Sequence, residues 1–271
     1  MTVGMLYAAR IVIRDRDWNN DIVLYTRSLE FERAPLILVN LGLALVGQGR
    51  IDEAMAQYSE ALRIKPDFPE AHLNLGLALA SQGRIDEAIV QYSDALRLKP
   101  DYLEAYLNLG NALASQGTID AAMAQYSEAL GIKPDSAEVH NSLGAALASQ
   151  GRIDKAIAQF SEALRLKPDY PEAHLNLGAA LASQGRIDEA MAQYSEALRL
   201  KPDFPEAHLN LGAALAGKGK IDEAMVQYSE ALHIRPDYPQ ARRLLNDLMS
   251  RAKSPNSTPR DRREISGGRF P

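Results

Sequence analysis

Two apolar patterns alternate along this chain, and the pair recurs every 34 residues. In the stretch beginning at Pro69, the residues Ala71, Leu75, Gly76, Ala78, Leu79 and Ala80 fall at helical spacing. Gly83 then supplies a stop, because the left-handed backbone that closes a helix is cheapest for glycine. A second helical pattern starts near Ile85 and Asp86. It puts Ala88, Ile89, Tyr92, Ala95, Leu96 and Leu98 on one side. Pro100 ends it, since proline has no N–H and clashes with the preceding turn. Asp67, Pro69 and Glu70 make an Asp-x-x-Glu start signal with proline in the first turn. Asp86 and Glu87 open the second helix and Arg97 and Lys99 close it, which suits the helix dipole. The unit is a helical hairpin.

Six copies of this hairpin run from Pro35 to Tyr238, over residues 35–68, 69–102, 103–136, 137–170, 171–204 and 205–238. One hairpin cannot bury its apolar side alone, so the copies must stack. Gly76 recurs in register as Gly42, Gly110, Gly144, Gly178 and Gly212. A small residue there predicts a close helix crossing that leucine would overpack by ~1–3 kcal/mol. The pattern resembles the tetratricopeptide repeat, whose signature positions are matched by Leu75, Gly76, Leu79, Gly83, Ala88, Tyr92, Ala95 and Pro100. The family tryptophan at position 4 of the repeat is replaced by Leu38, His72, Tyr106, His140, His174 and His208. The resemblance implies an all-α fold, a right-handed superhelical solenoid of helical hairpins. First helices would line its concave face and second helices its convex face.

The ends differ from the middle. Residues 1–34 read as a degenerate hairpin, with Ile22, Tyr25 and Leu29 on one side of its second helix. The run YAARIVIRDRDWNNDIVLYTRSLE also resembles the juncture between membrane segments and repeats in bacterial glycosyltransferase-like membrane proteins. Residues 239–252 carry Ala241, Leu244, Leu245, Leu248 and Met249 as a stripe beside charged residues, a capping helix for the exposed end of the stack. Residues 253–271 are rich in Pro, Ser, Gly and Arg and read as a disordered basic tail. Within it, Asn256-Ser257-Thr258 is a glycosylation sequon in form.

Charge narrows the partners. The net charge is −5, yet residues 251–271 hold six Lys/Arg against two Asp/Glu, so the repeat body is more acidic than the total. An acidic body argues against nucleic acid, which needs a basic groove. There is no cysteine, hence no disulfide or thiol chemistry. No apolar run reaches the ~18 residues of a membrane span. The chain reads as soluble and cytoplasmic, with peripheral membrane association as the alternative.

Candidate chemistry is sparse. His72, His140, His174 and His208 are a whole repeat apart and cannot converge within the ~2–2.6 Å that a metal requires. A packing role is expected, with no metal and no cofactor. The carboxylates of each Ile-Asp-Glu-Ala do not face each other, and no phosphate loop, HExxH or GxSxG occurs. The chain is expected not to be an enzyme. The asparagines at position 6 are the better signal: Asn40, Asn74, Asn108, Asn176 and Asn210, with Ser142 in the fourth copy and Asn141 one place earlier. An amide offers both donor and acceptor and can pair with the backbone of an extended peptide. The repeat domain of O-GlcNAc transferase is similar in carrying such a ladder. Leu73, Leu107, Leu175 and Leu209 at position 5, and Leu77 and Asn111 at position 9, complete the candidate peptide site. Glu70, Glu104, Glu138, Glu172 and Glu206 give it an acidic margin. Chaperone-binding family members use basic residues at positions 2, 5 and 6, and these are not basic here.

The resulting expectation is a protein-interaction scaffold that holds an extended, neutral-to-basic peptide. Two other readings stay open: a structural solenoid that self-assembles, including as a homo-oligomer through residues 1–34, and an accessory domain that presents acceptor protein to a glycosyltransferase.

Overall fold

Small residues decide how close the two helices of each hairpin come. In the computed structural model, which describes residues 21–31 and 34–253, a Cβ built on Gly76 would lie 2.6 Å from Cε1 of Tyr92, and one on Gly110 would lie 2.5 Å from Cε1 of Tyr126. Each of these glycines is the socket for the tyrosine of its own second helix. In the second helix, Ala88 and Ala95 are fully buried on either side of Tyr92. The glycine therefore seats a ring, where the sequence suggested only a crossing of two backbones.

The turns follow from glycine as well. Gly83 adopts φ +76°, and the N–H of Arg84 then donates to the carbonyl of Leu79 at 3.0 Å, closing the first helix. Helix starts are different from expectation. The residue before the helix is Phe68, extended at φ −118°, and no side chain caps it. Pro69 is the first helical residue and forces its predecessor out of the helical region. Asp67 is thus one place too early, and the Asp-x-x-Glu signal forms no capping box. The ring of Phe68 is buried instead.

The described residues form fourteen helices and no strand. They are α1 (Asp21–Phe31), α2 (Pro35–Gly47), α3 (Ile51–Ile64), α4 (Pro69–Ser81), α5 (Ile85–Leu98), α6 (Leu103–Ser115), α7 (Ile119–Ile132), α8 (Ala137–Ser149), α9 (Ile153–Leu166), α10 (Pro171–Ser183), α11 (Ile187–Leu200), α12 (Pro205–Gly217), α13 (Ile221–Ile234) and α14 (Pro239–Lys253). The fold is an all-α solenoid of helical hairpins.

The chain divides into two units at Ala146 and Leu147. In the N-terminal unit α1 packs on α2, and the hairpins α2–α3, α4–α5 and α6–α7 follow in order. Each second helix rests on the next first helix, α3 on α4 and α5 on α6. First helices also touch each other, α2 with α4 and α4 with α6, so they form one continuous wall. The C-terminal unit repeats this arrangement in the hairpins α10–α11 and α12–α13, with α10 touching α12. Here α14 covers α13, burying Ala241 and Leu248 while Arg242, Arg243, Asn246 and Asp247 stay exposed.

Polar ladders tie neighbouring hairpins together. The amide of Gln82 donates to Asp52, Gln116 to Asp86 and Gln184 to Asp154, each across 30 residues. Lys218 replaces the glutamine in the last copy and pairs with Asp188. Loop aromatics stack under the preceding cation, with Lys99 Nζ 4.2 Å from the ring centre of Tyr102 and Lys201 Nζ 4.6 Å from that of Phe204. The first part of the degenerate hairpin, the basic tail and the Asn256 sequon lie outside the described residues.

Candidate functional site

In each unit the first helices present a stripe made by positions 2, 6, 9 and 13 of their hairpins, which are three to four residues apart and share a helix side. In α4 these are Glu70, Asn74, Leu77 and Ser81; in α6 they are Glu104, Asn108, Asn111 and Ser115. Asn40, Asn74, Asn108, Asn141, Asn176 and Asn210 are all half-buried, while Leu77 and Asn111 are exposed. Asn40, Asn74, Asn108 and Asn141 belong to the N-terminal unit, and Asn176 and Asn210 to the C-terminal one.

The amides are already oriented by their own helices. Asn74 Nδ2 donates to the Glu70 carbonyl at 2.8 Å, and Asn108 Nδ2 donates to the Glu104 carbonyl at 2.7 Å. Each bond uses one amide hydrogen, and leaves Oδ1 and the other hydrogen for a ligand. Asn111 is held differently: its Oδ1 accepts from the Tyr126 hydroxyl at 2.8 Å. That bond reaches from the exposed stripe to the buried ring of the third hairpin. Burial pushes the Tyr126 phenol up to about 12, and a hydrogen bond from Ser142 opposes this.

The position-5 leucines divide. Leu73 and Leu209 are only 7% and 4% exposed and belong to the core. Leu107 and Leu175 are half-buried against neighbouring core clusters. Position 5 lies closer to the partner helix than position 6 does, so its side chain is spent on packing. Leu73 and Leu209 therefore offer no surface to a peptide. The stripe's apolar surface comes instead from Leu43 and Leu77, with Leu36 and Val46 beside them.

Histidine at position 4 works as a clamp between hairpins. His72 Nδ1 lies 2.8 Å from Gln91 Oε1 and its Nε2 lies 3.1 Å from the carbonyl of Pro66, in the preceding copy. His174 and His208 repeat this with Gln193 and Pro168, and with Gln227 and Pro202. A neutral imidazole can satisfy both neighbours by donating through Nε2 and accepting the glutamine's N–H through Nδ1, with that amide turned over. The packing role expected of these histidines is the one the geometry supports. Among the described residues, no three His, Asp or Glu side chains converge as a metal site would need.

Two features were missed from sequence. The glutamine at position 23 recurs in every copy from Gln57 to Gln227, and where position 4 is His72, His174 or His208 it becomes the partner of that ring. The second is a cleft of about 470 Å³ between α1 and α2, lined by Asp21, Ile22, Tyr25, Asn40, Leu43 and Gln48 among others. No short-range pattern announces it, because it arises where α1 meets the first full hairpin.

Comparison with known proteins agrees with this architecture. A family model described as the C-terminal domain of cilia and flagella-associated protein 70, a tetratricopeptide-repeat domain, matches residues 36–261. Among solved structures, the Cut9–Hcn1 hetero-tetramer of the APC/C is similar at TM-score 0.77 with 22% identity, covering 85% of this chain and 46% of that one. The chain thus spans about half the length of that relative. PilF of Pseudomonas aeruginosa is similar at TM-score 0.68 and 19% identity, over 79% of this chain and 97% of its own. YrrB, a repeat protein described as having an unusual peptide-binding site, aligns at TM-score 0.52 and 23% identity, over 70% and 97%. Among curated proteins, no sequence matches this one. At these identities the structural likenesses speak for the fold.

Proposed function

The chain belongs to the family of the C-terminal domain of cilia and flagella-associated protein 70, and from that membership we propose that it is a non-enzymatic scaffold that binds an extended segment of a partner protein along its first helices. The fold is typical of protein–protein interaction. YrrB, a neighbour in fold, carries a peptide-binding site by its own description. The observation that carries the reading is the pair Asn74 and Asn108, each pinned to its own helix by one hydrogen and left with an acceptor and a second donor. Two oriented amides a repeat apart match the alternating N–H and C=O groups of an extended backbone, without regard to its side chains.

The size of the effect limits the affinity. A net hydrogen bond contributes about 0.5–1.5 kcal/mol, and ordering the peptide offsets part of that. Binding in the micromolar range or weaker is expected where no other contacts add to it. Glu70 and Glu104 favour a neutral-to-basic segment. No helix among the described residues is long and apolar enough to cross a membrane.

The test is an exchange at the amides. After a partner is trapped by crosslinking and identified, its purified segment is titrated against the parent chain and against Asn74→Ala with Asn108→Ala. The double variant is expected to bind about tenfold more weakly, the equivalent of ~1.4 kcal/mol, with unchanged helicity by circular dichroism. Equal affinity for both proteins would remove the amide ladder.

A further inference from the structure

The copies are so alike that their departures from one another on the exposed stripe carry information. Position 9 is Leu43 and Leu77 in the first two copies, Asn111 in the third, and alanine in the rest. Among the described residues, the strongly exposed large apolar side chains on first helices are Leu36 at 59%, Leu43 at 48%, Val46 at 39% and Leu77 at 41%. All four sit on α2 and α4. The corresponding stripe of α10 and α12 shows only Ala179 and Ala213 at position 9. Aliphatic surface left in water is unfavourable relative to burial, and this patch belongs to the N-terminal unit.

The acidic margin departs in the same unit. In the C-terminal unit, Glu172 pairs with Lys201 at 3.5 Å and Glu206 with Arg235 at 2.6 Å. Glu70 and Glu104 make no ion pair among the described residues. Lys99, the counterpart of Lys201, lies over the Tyr102 ring without reaching Glu70. Glu70 and Glu104 occupy the same place in the first turns of α4 and α6, and these helices touch, so the two carboxylates flank one side of the α4–α6 wall. An apolar patch thus lies beside a negative charge with no internal partner.

We infer that the wall formed by α2, α4 and α6 takes an extended segment bearing two large apolar side chains and then a lysine or arginine, the apolar pair on Leu36, Leu43 and Leu77 and the cation between Glu70 and Glu104. This rests on the scaffold reading above and names its ligand chemistry. Packed helices lie about 8–10 Å apart, and an extended chain advances about 3.3 Å per residue. One hairpin therefore corresponds to about three residues of ligand, which sets the spacing of the three anchors in either chain direction. Asn74 stands between Glu70 and Leu77 on the same helix side, where it can hold the backbone linking the anchors.

The experiment is selection of a displayed random-peptide library on the full chain, followed by titration of the enriched peptides. Expected ligands carry two aliphatic or aromatic residues about three apart and a basic residue about three further. Leu43→Ser with Leu77→Ser is expected to weaken them about tenfold. Glu70→Gln with Glu104→Gln is expected to abolish their preference for lysine over glutamine while leaving the apolar requirement. Circular dichroism confirms that each variant is folded. Enriched peptides that lack this pattern but still depend on Asn74 and Asn108 would overturn the inference and leave the scaffold reading standing. Failure to enrich any peptide would overturn both. A dimer in light scattering that dissociates on Leu43→Ser with Leu77→Ser would assign the patch to a second copy of the chain, which also overturns the inference.

Discussion

Gly76 and Gly83 lie seven residues apart and are glycine for unrelated reasons. At Gly76 the backbone is helical, and the obstacle to a side chain is the Tyr92 ring, 2.6 Å from where a Cβ would stand. At Gly83 there is open space, and the obstacle is φ +76°. Gly76→Ala must displace a buried ring, and is expected to destabilise the chain by about 1–3 kcal/mol. Gly83→Ala is expected to cost about 1–2 kcal/mol through backbone strain alone. Urea unfolding followed by tyrosine fluorescence separates the two, since only Gly76→Ala should alter the emission of the folded state. The histidines repay the same attention. His72 joins Gln91 and Pro66, so His72→Ala leaves a polar gap between two hairpins, whereas the same change at an exposed position such as His233 removes no such contact. That clamp was not legible in a single copy. It needed the preceding hairpin to be in place.

At the scale of the helix, α14 shows what an end of the stack requires. It has one buried side, with Ala241 and Leu248 against α13, and one charged side. Removing it would leave α13 covered on one side only. Leu248→Ala is expected to destabilise by about 2 kcal/mol, at the lower end for such truncations because the end of a stack relaxes easily. Truncation before Pro239 is expected to lower the thermal midpoint further and to promote aggregation, measured by calorimetry and light scattering. An unchanged midpoint after truncation would show that α14 contributes no cap. The start of α4 makes a different point about elements. The sequence signal suggested a carboxylate cap from Asp67. The helix instead begins after Phe68, whose ring is buried, and α6 begins at the same place after Tyr102 with leucine where α4 has proline.

Across the molecule, the tyrosines buried in the hairpins are shifted in the same direction. Burial pushes the phenols of Tyr58, Tyr92, Tyr126 and Tyr194 up to about 12 from an ordinary value of 10.0. Below pH 10 both folded and unfolded chains keep these protons. As pH rises from 10 toward 12, the unfolded chain ionises first, so stability is lost through that window. The chain is expected to unfold cooperatively in that range, with phenolate absorbance and loss of helicity rising together. Phenolate formation well ahead of any loss of helicity would show that these rings are accessible in the folded chain. The surface pairs behave oppositely. Glu87 and Glu189 are held below the usual carboxylate range by hydrogen bonds from Arg84 and Arg186. Their support is present at neutral pH and lost as pH falls through their lowered values. Both pairs lie on the surface, and solvent screens what they contribute.

The fold was decided locally, and for that reason it could be read from one chain without a structure. Helix period, turn glycine and terminal proline act over a few residues, and six repetitions of the same signals leave little room for another architecture. Which residues face a ligand was not decided locally. Leu73 and Leu77 are four places apart on one helix and look equivalent in sequence, yet Leu73 is in the core and Leu77 is in solvent, because only the packing of α4 against its neighbours distinguishes them. The same holds for Glu70 and Glu206, alike in sequence and different in pairing, since a cation 29 residues away reaches one and not the other. Contacts of that range exist only once the two helices of a hairpin have packed against each other.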